Sequence, residues 1–168
     1  GGGATAGSMN AEESGRAALR KQVTSKMKTK RVREAYKLGK TLGTGGFSVV
    51  KLAVERATGE EYACKVMALP PPGAELDDYS NTREDIIKEI EILCTMEHPA
   101  IIYLKEFYDE NNKVYLITEL LTGGELLDAV LARGSYTEED ARVCFQKLLS
   151  ALGYLHEQNI AHRDLKLE

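Results

Sequence analysis

Two stretches of alternating apolar and polar residues, 36–42 and Ser48–Glu55, flank the turn Gly43-Thr44-Gly45-Gly46. A period of two marks half-buried strands, so the chain is organised around a hairpin with a glycine-rich turn. Glycines at such a place let backbone N–H groups approach a phosphate without side-chain obstruction. The flanks decide which phosphate-binding folds stay open. A dinucleotide fold needs a helix straight after the glycines, whereas Ser48–Glu55 reads as a strand. A P-loop needs Gly-Lys-Ser/Thr, which is absent. A strand–glycine–strand flap over phosphates fits, and so does an ordinary hairpin turn.

Further along, Ala57-Thr58-Gly59-Glu60 reads as a second turn and Glu61–Ala68 as a third strand, which Pro70-Pro71-Pro72-Gly73 ends. A helix is predicted from Asn81 or Thr82 to about Met96, with Asp85 three residues after Thr82 as in a capping box. It places Ile86, Glu89, Leu93 and Met96 on one face. His98-Pro99 breaks it, and strands at 104–108 and 113–119 follow around Asp109-Glu110-Asn111-Asn112. That turn lacks the glycine and ligand spacing of an EF-hand. A short helix at 125–132 precedes Gly134. The last helix has Thr137 as its cap, with Asp140 three residues on, and an apolar stripe of Ala141, Phe145, Leu148, Leu152 and Leu155.

Lys65 lies in the strand Tyr62-Ala63-Cys64-Lys65-Val66 among apolar neighbours. A buried ammonium needs a partner, and Glu89, inward beside Ile86 and Leu93, is the natural counterion. A surface lysine at a strand end and an ordinary solvated glutamate remain the plainer readings of these two positions.

The order of motifs resembles a eukaryotic protein kinase over residues 36–168. The motifs are Leu42-Gly43-x-Gly45 with Val50, Ala63-x-Lys65, Glu89, His98-Pro99, Glu119, Gly123-Gly124-Glu125-Leu126 and His162-Arg163-Asp164-Leu165-Lys166. Lys166 is typical of the serine/threonine class. The segments Gly-Gly-Phe-Ser, Lys-Glu-Ile-Glu-Ile-Leu and Glu-Leu-Leu-Thr-Gly-Gly-Glu-Leu are similar to the calcium/calmodulin-dependent group, and residues 89–128 to its checkpoint-kinase branch.

The resemblance implies an α+β fold: a five-stranded antiparallel small lobe with one main helix, then the beginning of a helical large lobe. The expected division is a flexible basic tail at 1–33, small lobe and hinge at 34–121, and the start of the large lobe at 122–168. It also implies ATP and Mg²⁺, and transfer of the γ-phosphate to a protein Ser/Thr hydroxyl. Gly43, Thr44, Gly45, Gly46, Phe47 and Ser48 would cover the phosphates, Ser48 replacing the usual third glycine. Leu42, Val50 and Ala63 would roof the adenine. Thr118 falls at the gatekeeper position, and Glu119 and Leu121 would offer hinge backbone groups. Glu125 would reach the ribose or a substrate arginine. Lys65, paired with Glu89, would hold the α- and β-phosphates. Asp164 would orient the substrate hydroxyl and accept its proton, and Lys166 would steady the transferred phosphate. Leu167 stands where many relatives have proline.

The family pattern places both Mg²⁺ ligands, an asparagine and the aspartate of Asp-Phe-Gly, after Glu168. The expectation for this 168-residue chain alone is therefore little turnover, with a role as a binding or competing module as the alternative.

Composition narrows the partners. The net charge is −4, divided into +7 over residues 1–40 and −11 over 41–168. The basic stretch 16–40 reads as a solvated tail, with calmodulin or another regulatory protein, anionic lipid and nucleic acid as alternatives. Aromatic residues are not interleaved there and the body is acidic, so nucleic acid is not expected as a main partner. No apolar run approaches the ~20 residues that span a bilayer. Cys64, Cys94 and Cys144 lack metal or disulfide spacing and read as reduced, buried thiols, which suits cytoplasm or nucleus.

Overall fold

The computed structural model describes residues 6–46, 48–71, 82–134 and 137–166. The chain divides into two compact units, one running through Met96 and adding Leu104–Glu119, the other formed by Glu97–Tyr103 and Leu120–Glu168. Among the described residues no helix is long and apolar enough to cross a membrane.

The first unit is a six-stranded sheet with three helices. Its elements are α1 (Ala6–Lys26), β1 (Met27–Lys28), α2 (Val32–Ala35), β2 (Tyr36–Thr44), β3 (Ser48–Glu55), β4 (Glu61–Ala68), α3 (Arg83–Thr95), β5 (Leu104–Glu110) and β6 (Lys113–Thr118). The strand order is β1-β5-β6-β4-β3-β2. Strands β2 to β6 pair antiparallel, as expected. Asn111 and Asn112 both take left-handed φ, 51° and 58°, which suits the tight β5–β6 turn because Asn tolerates that region.

The central strands of the sheet carry buried residues on both faces. Toward α3 lie Met67, Leu69, Val114, Leu116, Leu104 and Phe107, packed on Ile86, Ile90 and Cys94. On the opposite face Tyr36, Ala53, Cys64, Tyr108 and Ile117 pack with Val32 of α2. A register shift between Leu104 and Glu106 lets Leu104 and Phe107 share one face despite their odd spacing. Helix α3 starts on the anticipated capping box. Thr82 Oγ1 accepts from Asp85 N at 3.1 Å, and Asp85 Oδ2 accepts from Thr82 N at 3.0 Å. These bonds, led by the Thr82 hydroxyl, hold the Asp85 carboxyl below its ordinary value.

Residues 6–33 differ from the expected tail. Helix α1 spans Ala6–Lys26 where a flexible tail is expected, and β1 adds a sixth strand that pairs parallel with β5 (Met27 with Phe107, Lys28 with Tyr108). Val23 packs against the core cluster on the α3 face, and Lys26 Nζ donates to Leu104 O at 2.5 Å. Lys28 pairs with Glu106 at 3.5 Å, and Val32 N donates to the Glu110 carboxylate. The basic residues that suggested a solvated segment thus include two that satisfy acceptors along the sheet edge.

The second unit contains α4 (Leu126–Ala132) and α5 (Glu138–Glu157). Thr137 caps α5 as expected, its hydroxyl accepting from Asp140 N at 3.1 Å. The apolar stripe is only partly buried: Leu155 is inside, with Ala151 beside the stripe, whereas Phe145 is 60% exposed.

Candidate functional site

Thr44, Gly45 and Gly46 of the glycine turn line one depression of about 1200 Å³ in the first unit together with Lys65 and Glu89. Strand register explains their placement. Val50 stands opposite both Gly43 on β2 and Lys65 on β4, and Ala63 stands opposite Thr118. Since side chains alternate, Ala63 and Lys65 share the α3 face of β4. Val50 and Ala63 are half-buried, Thr118 is buried, and Leu42 is exposed. Thr118 Oγ1 donates to Glu119 O at 3.2 Å.

At the turn, Gly45 N donates to Ser48 O at 2.8 Å, so this amide closes the hairpin. A Cβ on Gly45 would stand 3.1 Å from Ser48 Oγ, tighter than most real contacts, whereas Gly43 and Gly46 face open space. Thr44 and Ser48 line the same depression. Phe47 lies outside the described residues.

Lys65 Nζ and Glu89 Oε1 are 4.0 Å apart, with side chains 39% and 51% exposed. This corrects the expectation of a buried lysine and an inward glutamate. Ile86 and Ile90 carry the burial of α3, leaving Glu89 on its flank. At that distance the pair is an electrostatic contact rather than a hydrogen bond, and water screens it. Lys65 is therefore held beside the turn with its ammonium available to an anion.

In the second unit, Asp164 and Lys166 pair at 3.8 Å and are 79% and 56% exposed. His162 Nδ1 accepts from Asp164 N at 3.2 Å, and Arg163 between them has φ 64°. A left-handed arginine is uncommon and constrains the loop that presents Asp164. Leu121 is 67% exposed, and Glu125 is the N-cap residue of α4 without a side-chain capping bond.

The sequence reading assigned no contact to two parts of the structure. His98 Nε2 lies 3.0 Å from Ser150 Oγ, its Nδ1 accepts from Ala100 N at 3.0 Å, and Tyr154 Oη accepts from Glu97 N at 3.1 Å. The His-Pro break therefore fastens residues 97–103 to α5. On the sheet, Lys105 Nζ donates to Glu55 Oε1 at 2.8 Å and to Tyr62 Oη at 3.0 Å. Lys105 holds the Glu55 carboxyl below its ordinary value. Tyr36 and Tyr108 both donate to Glu106 Oε1, at 2.7 and 2.8 Å; burial first, and that carboxylate second, push both phenols up. No periodicity marks such contacts, because each joins residues distant in sequence.

Among the described residues no group of three or more His, Cys, Asp or Glu gathers as a metal site.

The protein kinase domain family matches residues 36–168. Myosin light chain kinase A of Dictyostelium discoideum is 44% identical over 137 residues, covering 82% of this chain and 44% of that protein. Calcium/calmodulin-dependent protein kinase type 1 of Caenorhabditis briggsae is 39% identical over 150 residues, covering 89% and 40%. The serine/threonine-protein kinase DCLK1 of Rattus norvegicus is 41% identical over 138 residues, covering 82% and 30%. The chain thus spans less than half the length of these relatives, and it belongs to the protein kinase family.

Proposed function

We propose that this chain carries the nucleotide-binding part of a protein serine/threonine kinase, which in the complete domain transfers the ATP γ-phosphate to protein Ser/Thr hydroxyls. The observation that carries the reading is Lys65 beside the glycine turn with Glu89 at 4.0 Å, in one depression of the sheet unit. These residues fit a nucleoside triphosphate: a cation for the phosphates, a turn open at Gly43 and Gly46, and apolar Val50 and Ala63 for a base.

ATP supplies the phosphoryl group, and Mg²⁺ in this family neutralises its charge. The chain's own residues orient and hold. Lys65 binds the α- and β-phosphates, and the Glu89 carboxylate stands beside its ammonium. Leu42, Val50, Ala63 and Thr118 shape the base site, with Glu119 as a backbone partner. Asp164 aligns the acceptor hydroxyl and takes its proton at a carboxylate oxygen, while Lys166 steadies the transferred group. Positioning supplies most of the rate in this chemistry.

A second reading, a binding or competing module without turnover, is favoured by the exposure of Leu131, Phe145 and Leu149, at 69%, 60% and 60%. Calmodulin or a related regulatory protein is a partner suggested by the names of the relatives.

Thermal unfolding of the 168-residue chain with and without Mg·ATP tests the nucleotide reading. A ligand at tenfold excess over its Kd stabilises by about 1.4 kcal/mol. The midpoint is expected to rise for the wild type and to stay nearly fixed for Lys65→Met. Equal shifts in both, or none in either, would refute it. Labelled phosphate transfer to a Ser/Thr peptide, abolished by Asp164→Asn, would exclude the module reading.

A further inference from the structure

The depression at the free ends of β3 and β4 is also lined from the sheet face opposite α3. There Leu38, Val66 and Tyr115 form the half-buried rim of the cluster built on Val32, Tyr36 and Cys64. Three cations border this rim and line the same depression: Arg33 on α2, Lys51 on β3 and Lys113 on β6. Among the described residues none of the three has a carboxylate within ion-pair distance, since the ion pairs of this unit join other residues. Glu110, whose charge reaches Tyr115, is occupied by the Val32 amide. The acidic lining residue, Glu89, belongs to the other face and to Lys65.

Register sets the spacing. Lys51 stands opposite Cys64, Tyr115 opposite Val66, and Lys113 opposite Ala68. The two lysine rows therefore lie about 13 Å apart along β4, with the Val66–Tyr115 row between them, and on opposite sides of that strand. A carboxylate at either end of a short extended peptide would meet them while an apolar side chain rests on Val66 and Tyr115.

We propose that this face docks an acidic peptide segment of a partner protein, with two carboxylate-bearing positions bracketing a Leu or Phe anchor. Charge complementarity selects this occupant: three cations without an acidic partner among the described residues, around an apolar floor, suit a short acidic–apolar segment. A nucleic acid is disfavoured, because the floor offers one aromatic ring for stacking and the body carries −11 over residues 41–168.

The test uses the full chain and a fluorescein-labelled peptide of pattern Glu-Asp-Leu-Phe-Asp-Glu, read by fluorescence polarisation. Binding is expected to weaken about tenfold when Arg33→Glu and Lys113→Glu are combined, given modest contributions from each exposed charge. It should weaken similarly for a Gln/Asn analogue of the peptide, and for Leu and Phe replaced by Ser. Lys65→Met should leave it unchanged, which separates this face from the nucleotide site. Far-UV circular dichroism and the thermal midpoint check that the double variant is folded; Val66→Asp serves as a second variant if it is not. No binding up to about 1 mM, where even a weak specific contact registers, overturns the proposal. So does equal binding by the charge-reversed variant, loss of binding in Lys65→Met, equal displacement by an RNA oligomer, or self-association of the chain through this face in sedimentation.

Discussion

In the sheet unit, β4 and β6 are buried on both faces, and α3 closes one of them with Ile86, Ile90 and Cys94. In the helical unit, Ala151 and Leu155 are the buried apolar residues of α5, while Phe145, Leu149 and Leu131 of α4 stand largely in water. The two charge pairs follow the same division. Lys65 and Glu89 are anchored on a strand and a helix that share a core, whereas Asp164 and Lys166 sit on a loop at 79% and 56% exposure. Preorganisation comes from the packing behind a side chain, so Lys65 and Glu89 are better fixed than Asp164 and Lys166.

The sharpest break in this comparison is truncation of core residues. Leu116→Ala on β6 should cost ~2–5 kcal/mol, since it empties a site 1% exposed. Leu149→Ala on α5 should stay within about 0.5 kcal/mol. Denaturant unfolding followed by circular dichroism, with hydrogen exchange to localise the loss, reads both. Comparable losses would mean that the helical unit has a core of its own.

Thiol chemistry sharpens the same contrast. Cys64 is buried and its thiol is pushed up to about 12 by that burial; burial also raises Cys94. Cys144 on α5 is only partly covered. Alkylation by iodoacetamide at pH 8, mapped by mass spectrometry, should modify Cys144 first and the other two only with unfolding. Rapid modification of Cys64 would contradict the two-faced burial of the sheet.

Much of the sheet unit is legible in the sequence. Alternation marks β2 to β6 to within two residues at their ends, and Thr82 with Asp85 marks the start of α3. The remainder is hidden for identifiable reasons. Strand β1 has two residues and no period to detect, and it exists because β5 leaves an edge to pair. Residues 6–33 look like part of a solvated basic tail because the acceptors of Lys26 and Lys28 are Leu104 and Glu106, distant in sequence. The stripe of α5 is visible as a pattern, but a pattern does not say what covers it, and Phe145 shows the difference. At the site, the motifs name Lys65 and Glu89 while the half-open geometry of the pair depends on where α3 rests.

Smaller effects probe the start of α3 and the tie between β3 and β5. Thr82→Ala removes the cap of α3 and should cost about 1 kcal/mol, read as a lowered thermal midpoint; no change would mean the cap is redundant. Glu55→Gln tests the tie to Lys105. Lys105 depresses the folded-state value of Glu55, so its contribution is present above the ordinary glutamate range and is lost as pH falls through the folded-state value. The stability gap between wild type and variant should therefore be steady near neutrality and close in acid. A gap that widens on acidification would reverse the assignment.

The most direct test of the central claim is a titration of isotope-labelled chain with Mg·ATP, followed through backbone amide shifts. The account predicts perturbations concentrated at residues 43–48, Val50, Ala63 and Lys65, with affinity falling at least about tenfold in Lys65→Met. Perturbations elsewhere, or undiminished affinity in that variant, would contradict it.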